Sequence, residues 1–195
     1  DAWTAGPDLL VARASHSATL LPDGRVLVTG GLDDLGQALG VTETWTPGAD
    51  RWQRAPDLAQ ARAMHSATLL PSGDVLLSGG TLRPQHIAPI LELWHDGGWR
   101  HAGYLPIELQ ESTSVLAPDG QVLIFGRDPY AGPSVLAWLP DTPGVATRGD
   151  ATPGVGTPGV GTPTLDTPMD ATLTRLRDGR FLLAGGMRRQ VDSAV

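Results

Sequence analysis

The sequence predicts an all-β fold made of about four similar units, each a four-stranded antiparallel sheet. The main observation is a repeat, because the stretch from Arg13 to Gly24 recurs from Arg62 to Gly73. Each copy leads into a pair of glycines, and two tryptophans follow each pair at similar spacing. Self-similarity with a period of about 20 to 50 residues is typical of repeat architectures, in which each unit buries its apolar face against the next.

The first half of each unit predicts a β-hairpin. In the first unit, the residues from Ser15 to Leu21 predict one strand, and those from Pro22 to Gly24 predict a tight turn. The aliphatic stretch from Arg25 to Thr29 then predicts the antiparallel partner strand. After the glycine pair we expect a variable loop, a third strand ending at Trp45 and a fourth strand that holds Trp52.

The turn glycines Gly24, Gly73, Gly120 and Gly179 divide the chain into units. These span about residues 12–54, 61–102, 109–140 and 169–195, and residues 1–4 align with the outermost strand of a preceding or closing unit. Residues 141–168 interrupt the series with a tract that repeats Thr-Pro-Gly-Val. Such tracts disfavour both helix and sheet, so we expect an inserted loop there.

The repeated elements resemble the kelch repeat of β-propeller proteins. The resemblance rests on the strand His-Ser-Ala-Thr that begins at His16 and at His65, the glycine turn, the double glycine and the two aromatic residues after it. It implies a propeller of four-stranded blades around a central channel, with tryptophans between neighbouring blades. The later units depart from this pattern, because Ser112 and Ala171 replace the histidine and Arg127 replaces the second glycine.

About four repeats leave the number of blades open. A small closed ring, part of a larger propeller and a ring completed by two copies of the chain all fit this number. Self-association is expected if one copy leaves the ring incomplete, because exposed strand edges favour pairing.

Composition excludes several classes of function. The chain has no cysteine, which excludes disulfides, thiol catalysis and cysteine-ligated zinc. Copper radical oxidases, which some kelch propellers resemble, need a cysteine cross-linked to a tyrosine, so that chemistry is disfavoured as well. The net charge of −7 argues against a nucleic-acid partner, and no apolar run is long enough to span a membrane.

We expect no cofactor and no metal. All the cationic residues are arginine and the chain has neither lysine nor asparagine, which is typical of a GC-rich genome and points to a bacterium. The resemblance to bacterial kelch proteins implies secretion or surface display, while composition leaves the compartment open.

Residues that recur at one position of successive units are expected to serve the architecture. A histidine at the start of a strand can bind neighbouring backbone groups, and paired glycines let one backbone approach another closely. The residues with this predicted structural role are His16, His65, Gly30, Gly31, Gly79, Gly80, Trp45, Trp52, Trp94 and Trp99.

Two arginines at equivalent positions have two interpretations. Arg13 and Arg62 precede the repeated histidines, where the connecting loop enters the first strand of a unit. In one interpretation they form a salt bridge or hold backbone carbonyls. In the other they rim the channel and bind an acidic ligand through bidentate contacts.

Residues that vary between units predict the binding face. In an antiparallel meander, the loops between second and third strands and the connections between units emerge at the same end, and recognition usually occurs on loops of a rigid scaffold. We expect no catalytic residue, and a binding site among Arg13, Arg62, Asp33, Asp34, Arg83, His86, Arg127, Tyr130 and Arg188.

Three classes of function follow. The expected one is a non-enzymatic interaction or scaffold module that binds a protein or glycan partner through the loops on one propeller face. The alternatives are a sugar-modifying enzyme, similar to an epimerase or a lyase, with its site at the central channel, and a purely architectural module of a larger surface protein. The sequence has neither a Gly-x-Ser-x-Gly nor a His-Glu-x-x-His motif to favour a particular reaction.

Overall fold

The chain folds into β-sheets with antiparallel neighbours along almost every strand. A computed structural model describes residues 4–83, 86–128, 130, 132–140, 144–145, 147–148, 172–175 and 181–184. Across these residues there is no helix, and therefore no helix of the length and apolarity that a membrane span requires. The all-β class predicted from the sequence is confirmed.

The first unit forms a four-stranded sheet, which we call the first sheet. Its strands follow in chain order: β1 (Ser17–Leu20), β2 (Val26–Thr29), β3 (Thr42–Trp45) and β4 (Gln53–Ala55). The predicted hairpin is present, with Ser17 opposite Thr29. Its turn requires a glycine, because Gly24 has a φ of +86° and its N–H donates to the Leu21 carbonyl over 2.9 Å.

The second unit repeats this arrangement as the second sheet. Its strands are β5 (Ser66–Leu69), β6 (Val75–Ser78), β9 (Ile90–His95) and β10 (Gly98–Tyr104). The loop between β6 and β9 carries a small hairpin of β7 (Thr81–Arg83) and β8 (His86–Ile87).

The third sheet contains β11 (Gln110–Leu116), β12 (Val122–Asp128) and β13 (Gly132–Trp138). At the position where Arg127 replaces a glycine, β12 does not end but continues to Asp128. The register of β11 against this part of β12 shifts between Gln110, which is opposite Arg127, and Thr113, which is opposite Phe125.

The segment expected to be a loop contributes two short strands. Within it, β14 (Gly144–Val145) runs parallel to β10 at the edge of the second sheet, and β15 (Thr147–Arg148) pairs with β13 at the edge of the third. An edge strand offers unpaired backbone groups that even a two-residue segment can bind. A hairpin of β16 (Thr172–Arg175) and β17 (Phe181–Ala184) represents the fourth unit.

Neighbouring sheets pack against each other through apolar side chains. The first strands of the units, β1, β5, β11 and β16, lie beside one another in chain order. Leu21, Leu27, Val75 and Trp94 form the core between the first and second sheets. The larger core between the second and third sheets includes Leu76, Leu93, Ile124 and Trp138.

Candidate functional site

The two ends of the sheets carry different connections. Because the strands of each sheet are antiparallel and follow in order, the loops β2–β3, β6–β9 and β12–β13 emerge at one end with the connections between sheets. We call this the loop end. The turns β1–β2, β5–β6 and β9–β10 lie at the opposite end, which we call the turn end.

Arg62 lies in a buried clamp of backbone carbonyls. Its side chain is 0% exposed, and its Nη2 donates to Glu92 Oε2 over 2.6 Å. Its Nη1 donates to the carbonyls of Gly79 and Ile90 over 3.2 and 2.8 Å. Desolvation lowers the pKa of Arg62, and the negative charge of Glu92 partly offsets this. The arginine thus joins the entering connection to the ends of β6 and β9.

Arg13 makes the equivalent clamp in the first unit. Its Nη1 donates to the carbonyls of Gly30 and Val41 over 3.0 and 2.7 Å, and its Nη2 forms an ion pair with Glu43. Desolvation also lowers the pKa of this arginine. These contacts are those of the salt-bridge and carbonyl-clamp interpretation, and they leave each guanidinium facing protein groups.

Two glutamates that were not predicted from the sequence complete the clamps. Glu43 and Glu92 are both buried and each also accepts backbone N–H groups of the connection that precedes its arginine. A signal for them was present, because each glutamate stands two residues before the first tryptophan of its unit. The pattern Glu-x-Trp recurs with the arginine, and a recurring opposite charge is what a buried arginine needs.

His65 bridges the first and second sheets. Its Nε2 lies 2.8 Å from Ser17 Oγ and 3.1 Å from Thr29 Oγ1, both of which belong to the first sheet. Burial lowers its pKa to about 3, and the positive charge of Arg62 and then of His16 adds to the effect. The imidazole is therefore neutral at physiological pH.

The equivalent histidine of the first unit has a different environment. His16 is exposed, and burial of part of its ring together with the charge of Arg13 lowers its pKa. It has the strand position of His65, but on a side of the first sheet that no earlier described sheet covers.

The paired glycines lie where two backbones nearly touch. A Cβ at Gly30 would overlap with the Arg62 carbonyl and lie 2.8 Å from His65 Cε1. A Cβ at Gly79 would overlap with the hydroxyl of Ser112, the residue that replaces the histidine in the third unit. Each glycine thus leaves the space that the residue at the histidine position of the next unit occupies.

The tryptophans pack in pairs at the outer strands. Trp45 and Trp52 have ring centroids 6.1 Å apart, and Trp94 and Trp99 lie 5.2 Å apart. The indole N–H of Trp99 donates to Thr42 Oγ1 of the first sheet over 3.0 Å, so this pair also ties two sheets together.

Two residues at the loop end have strained backbones. Ser15 and Met64, at equivalent positions, both have a φ of 55°, which residues other than glycine rarely adopt. The Met64 N–H donates to the Ser15 carbonyl over 3.0 Å and links the two units. Met64 is 53% exposed. The sequence carried no signal for this conformation, since serine and methionine are not residues that favour it.

The other residues predicted to form the binding site lie around the loop end. Asp33 caps its own loop, because its Oδ1 accepts the N–H groups of Leu35 and Gln37, while Asp34 is exposed. Arg83 and His86 lie opposite each other in the backbone register of the β7–β8 hairpin. Arg127 is exposed at the end of β12, and Tyr130 is 99% exposed. Arg188 lies outside the described residues.

Apolar side chains of the loop end were not among the predicted binding residues, apart from Tyr130. Among the described residues, the large apolar side chains exposed there are Leu10, Leu35, Met64, Tyr104 and Tyr130. The remaining exposed ones are Leu20 and Leu69 on first strands and Leu139 after β13. A signal was available in Leu35, an apolar residue between Asp33, Asp34 and Gln37 in the loop predicted after the glycine pair.

The turn end has a shallow groove of about 320 Å³ between the first and second sheets. Charged side chains line it, and they are already paired: His95 Nδ1 lies 2.8 Å from Asp74 Oδ1, and Arg25 Nε donates to Asp23 Oδ2 over 2.7 Å. In the part of the chain that the structure describes, no three His, Asp or Glu side chains are grouped to hold a metal ion.

Comparisons with known proteins address the fold. No protein-family model matches the chain. No curated protein matches it either. Among solved structures, it is similar to a fungal alcohol oxidase of the AA5 family in complex with copper, with 14% sequence identity and a TM-score of 0.57. The similarity covers 66% of this chain but only 31% of the oxidase chain, and at this identity it concerns the fold alone.

Proposed function

We propose that the chain forms a kelch-type β-propeller in which each sheet is one blade. The support is the repeated order of four strands and the side-by-side packing of the first strands, which in a propeller line the central channel. The recurrence of the arginine clamp and of the glycine contact at successive junctions also supports stacked, equivalent blades.

We infer further that this propeller is a non-enzymatic interaction module that binds a protein partner at its loop end. The main support for this proposal is that exposed apolar side chains are concentrated at the loop end. A protein interface combines such side chains with a polar rim, and aromatic residues and methionine are enriched in its core. Met64, Tyr104 and Tyr130 supply this chemistry, and Asp34 and Arg127 supply exposed charges nearby.

The repeated polar residues support an architectural role rather than catalysis. The clamp arginines face glutamates and carbonyls, and a histidine with a pKa of about 3 is too weak a base for proton transfer near neutral pH. The residues left for recognition are those that differ from unit to unit.

The test is a selection of ligands from a displayed peptide library and a glycan array, followed by titration of what binds. A loop-end variant, Leu35→Ser with Met64→Asn, should weaken the selected ligand at least tenfold, which is about 1.4 kcal/mol. Asparagine tolerates the backbone conformation of Met64, so this variant should fold. The matched control is Asp96→Asn at the turn end, where the Asp96 side chain is 90% exposed and asparagine tolerates the φ of 47°, and it should bind as the parent does.

Two outcomes would overturn the proposal. A ligand lost from the Asp96 variant but retained by the loop-end variant would place recognition at the turn end. A folded protein that selects nothing from either library would favour the purely architectural role.

A further inference from the structure

The junction between the first and second sheets, which we call the first junction, is closed by hydrogen bonds around one imidazole. His65 Nε2 lies 2.8 Å from Ser17 Oγ and 3.1 Å from Thr29 Oγ1, and the two hydroxyl oxygens lie 2.7 Å apart. Thr29 and His65 are buried, with 1% and 9% of their surface exposed. The imidazole therefore gives both hydroxyls a partner inside the protein.

The junction between the second and third sheets, the second junction, has hydroxyls at all three positions. Counted from the turn glycines, Ser66, Ser78 and Ser112 take the places of the two hydroxyl residues and the histidine. The strand register agrees, because Ser66 lies opposite Ser78, as the two hydroxyl residues of the first junction lie opposite each other. Ser112 also packs on Gly79, as the imidazole packs on the equivalent glycine. The two junctions therefore have the same geometry with one exchanged side chain.

Two hydroxyls of the second junction are left without a protein partner. Among the described residues, Ser78 Oγ and Ser112 Oγ are both buried and no protein group forms a hydrogen bond with either of them. Ser78 is 0% exposed. The Ser66 oxygen instead accepts the N–H and the hydroxyl of Ser114, over 2.9 and 2.8 Å. A buried hydroxyl without a partner is costly, so native proteins retain few of them.

The exchange of histidine for serine explains why these hydroxyls do not meet. A serine oxygen is bonded directly to Cβ, whereas the Nε2 atom that closes the first junction lies at the far end of a ring. Ser112 therefore reaches less far into the second junction than His65 reaches into the first. A partner for the two hydroxyls must be small and must both donate and accept hydrogen bonds. Buried water has this chemistry and typically forms about three hydrogen bonds to such groups.

We propose that the second junction binds one buried water molecule, which bridges Ser78 Oγ and Ser112 Oγ at the place that the imidazole Nε2 takes in the first junction. Ser66 accepts two hydrogen bonds and offers its own O–H as a third partner for this water. The water ties the second sheet, which holds Ser66 and Ser78, to the third sheet, which holds Ser112. One junction is thus closed by a side chain and the next by solvent.

Alanine substitutions test whether a water bridges the two hydroxyls. Ser78→Ala and Ser112→Ala should each lower the equilibrium constant of folding about fivefold, because each removes one end of the bridge. The double variant should lose little more than either single variant, since one water serves both hydroxyls. Urea denaturation measures all three. Hydroxyls that are not bridged predict the opposite sign, because removal of an unpaired buried polar group stabilises a protein. A gain in stability, or losses that simply add, would overturn the proposal.

A copy of the first junction provides the matched control. The variant with Ser112→His and Ser114→Ala has the residues of the first junction at these two positions, so its imidazole should bond Ser66 and Ser78 directly. Crystals that diffract well enough to show ordered water should contain a water within hydrogen-bond distance of Ser78 Oγ and Ser112 Oγ in the parent. In the variant a ring nitrogen should replace it. A parent crystal without this water would overturn the proposal, and neither the parent crystal nor the alanine series depends on whether the histidine variant folds.

Discussion

Each buried arginine holds two carbonyls and a carboxylate that belong to different parts of a unit. Arg62 contacts Gly79 and Ile90 at the ends of two strands, and Glu92 in turn accepts the Ala59 N–H of the connection. Burial of a single guanidinium is costly, so the charge is retained only with its partner in place. The clamp therefore fixes where the connection enters the next sheet.

Replacing Arg62 with methionine should lower the free energy of unfolding by about 3 to 5 kcal/mol, because Glu92 is left as a buried and unpaired charge. Urea denaturation at pH 7 measures the change. The matched control is Arg54→Met, because the side chains of Arg54 and its partner Asp57 are 53% and 46% exposed, and we expect no resolvable change there. Equal effects of the two substitutions would show that the buried clamp has no special role.

The lowered pKa of His65 predicts that the folded chain loses stability in mild acid. Its pKa is lowered to about 3 in the folded chain, and an unfolded histidine has a pKa near 6.5, so the unfolded state binds the proton more readily between these values. The contribution of neutral His65 to the free energy of unfolding is therefore fully present above about pH 6.5. It decreases as the pH falls, by at most ~1.4 kcal/mol per pH unit for this one proton.

Urea midpoints of the parent and of His65→Gln between pH 7 and pH 5 test this pH dependence. The parent should lose more stability than the variant over this interval. His16→Gln is the control, since His16 is exposed and should contribute less. Parallel pH profiles of the parent and His65→Gln would contradict the assignment.

At the level of the strands and turns, glycines set how closely two sheets approach. Gly24 and Gly30 both have positive φ, but only Gly30 lies against another unit. The Gly31 N–H donates to the Arg62 carbonyl over 2.9 Å, so the backbone after β2 bonds directly to the connection that enters β5. A side chain at this point would separate the hydrogen-bonded backbones.

Gly30→Ala should destabilise the chain more than Gly24→Ala. Alanine at Gly24 meets open space and costs about 1 to 2 kcal/mol for its backbone conformation alone. Alanine at Gly30 has a similar backbone cost and also overlaps with the Arg62 carbonyl and crowds His65, which adds ~1–3 kcal/mol. Thermal and urea unfolding measure both variants. A smaller loss for Gly30→Ala would contradict the close approach of the sheets.

In the whole molecule, the surfaces through which the sheets pack differ from the surface that we propose for binding. Sheets contact one another through their sides, where Val75, Leu76 and Leu77 are all 0% exposed. The exposed Leu35 side chain at the loop end lies outside these apolar cores, although backbone bonds at the same end, such as that from Met64 N–H to the Ser15 carbonyl, link the units.

Local chemistry in the sequence was enough to predict much of this architecture. The alternating strand around Ser17, the turn at Gly24 and the aliphatic partner strand are encoded by neighbouring residues, and the repeat shows that the same element recurs. Backbone dihedral preferences and side-chain alternation act over a few residues, which is why the hairpins could be predicted with nearly correct limits.

Contacts between distant residues were decided only by the tertiary structure. The sequence left two interpretations of Arg13 and Arg62, and the choice of Glu43 and Glu92 as their partners depends on how strands and connections pack. The expected loop also contributes β14 and β15, because open sheet edges accept them. Val26 is only partly buried, whereas Val75 at the equivalent position of β6 is fully buried in the core that it shares with Leu21 and Leu27 of the first sheet. Burial and charge pairing are properties of packed surfaces, and a local pattern specifies the surfaces but not their neighbours.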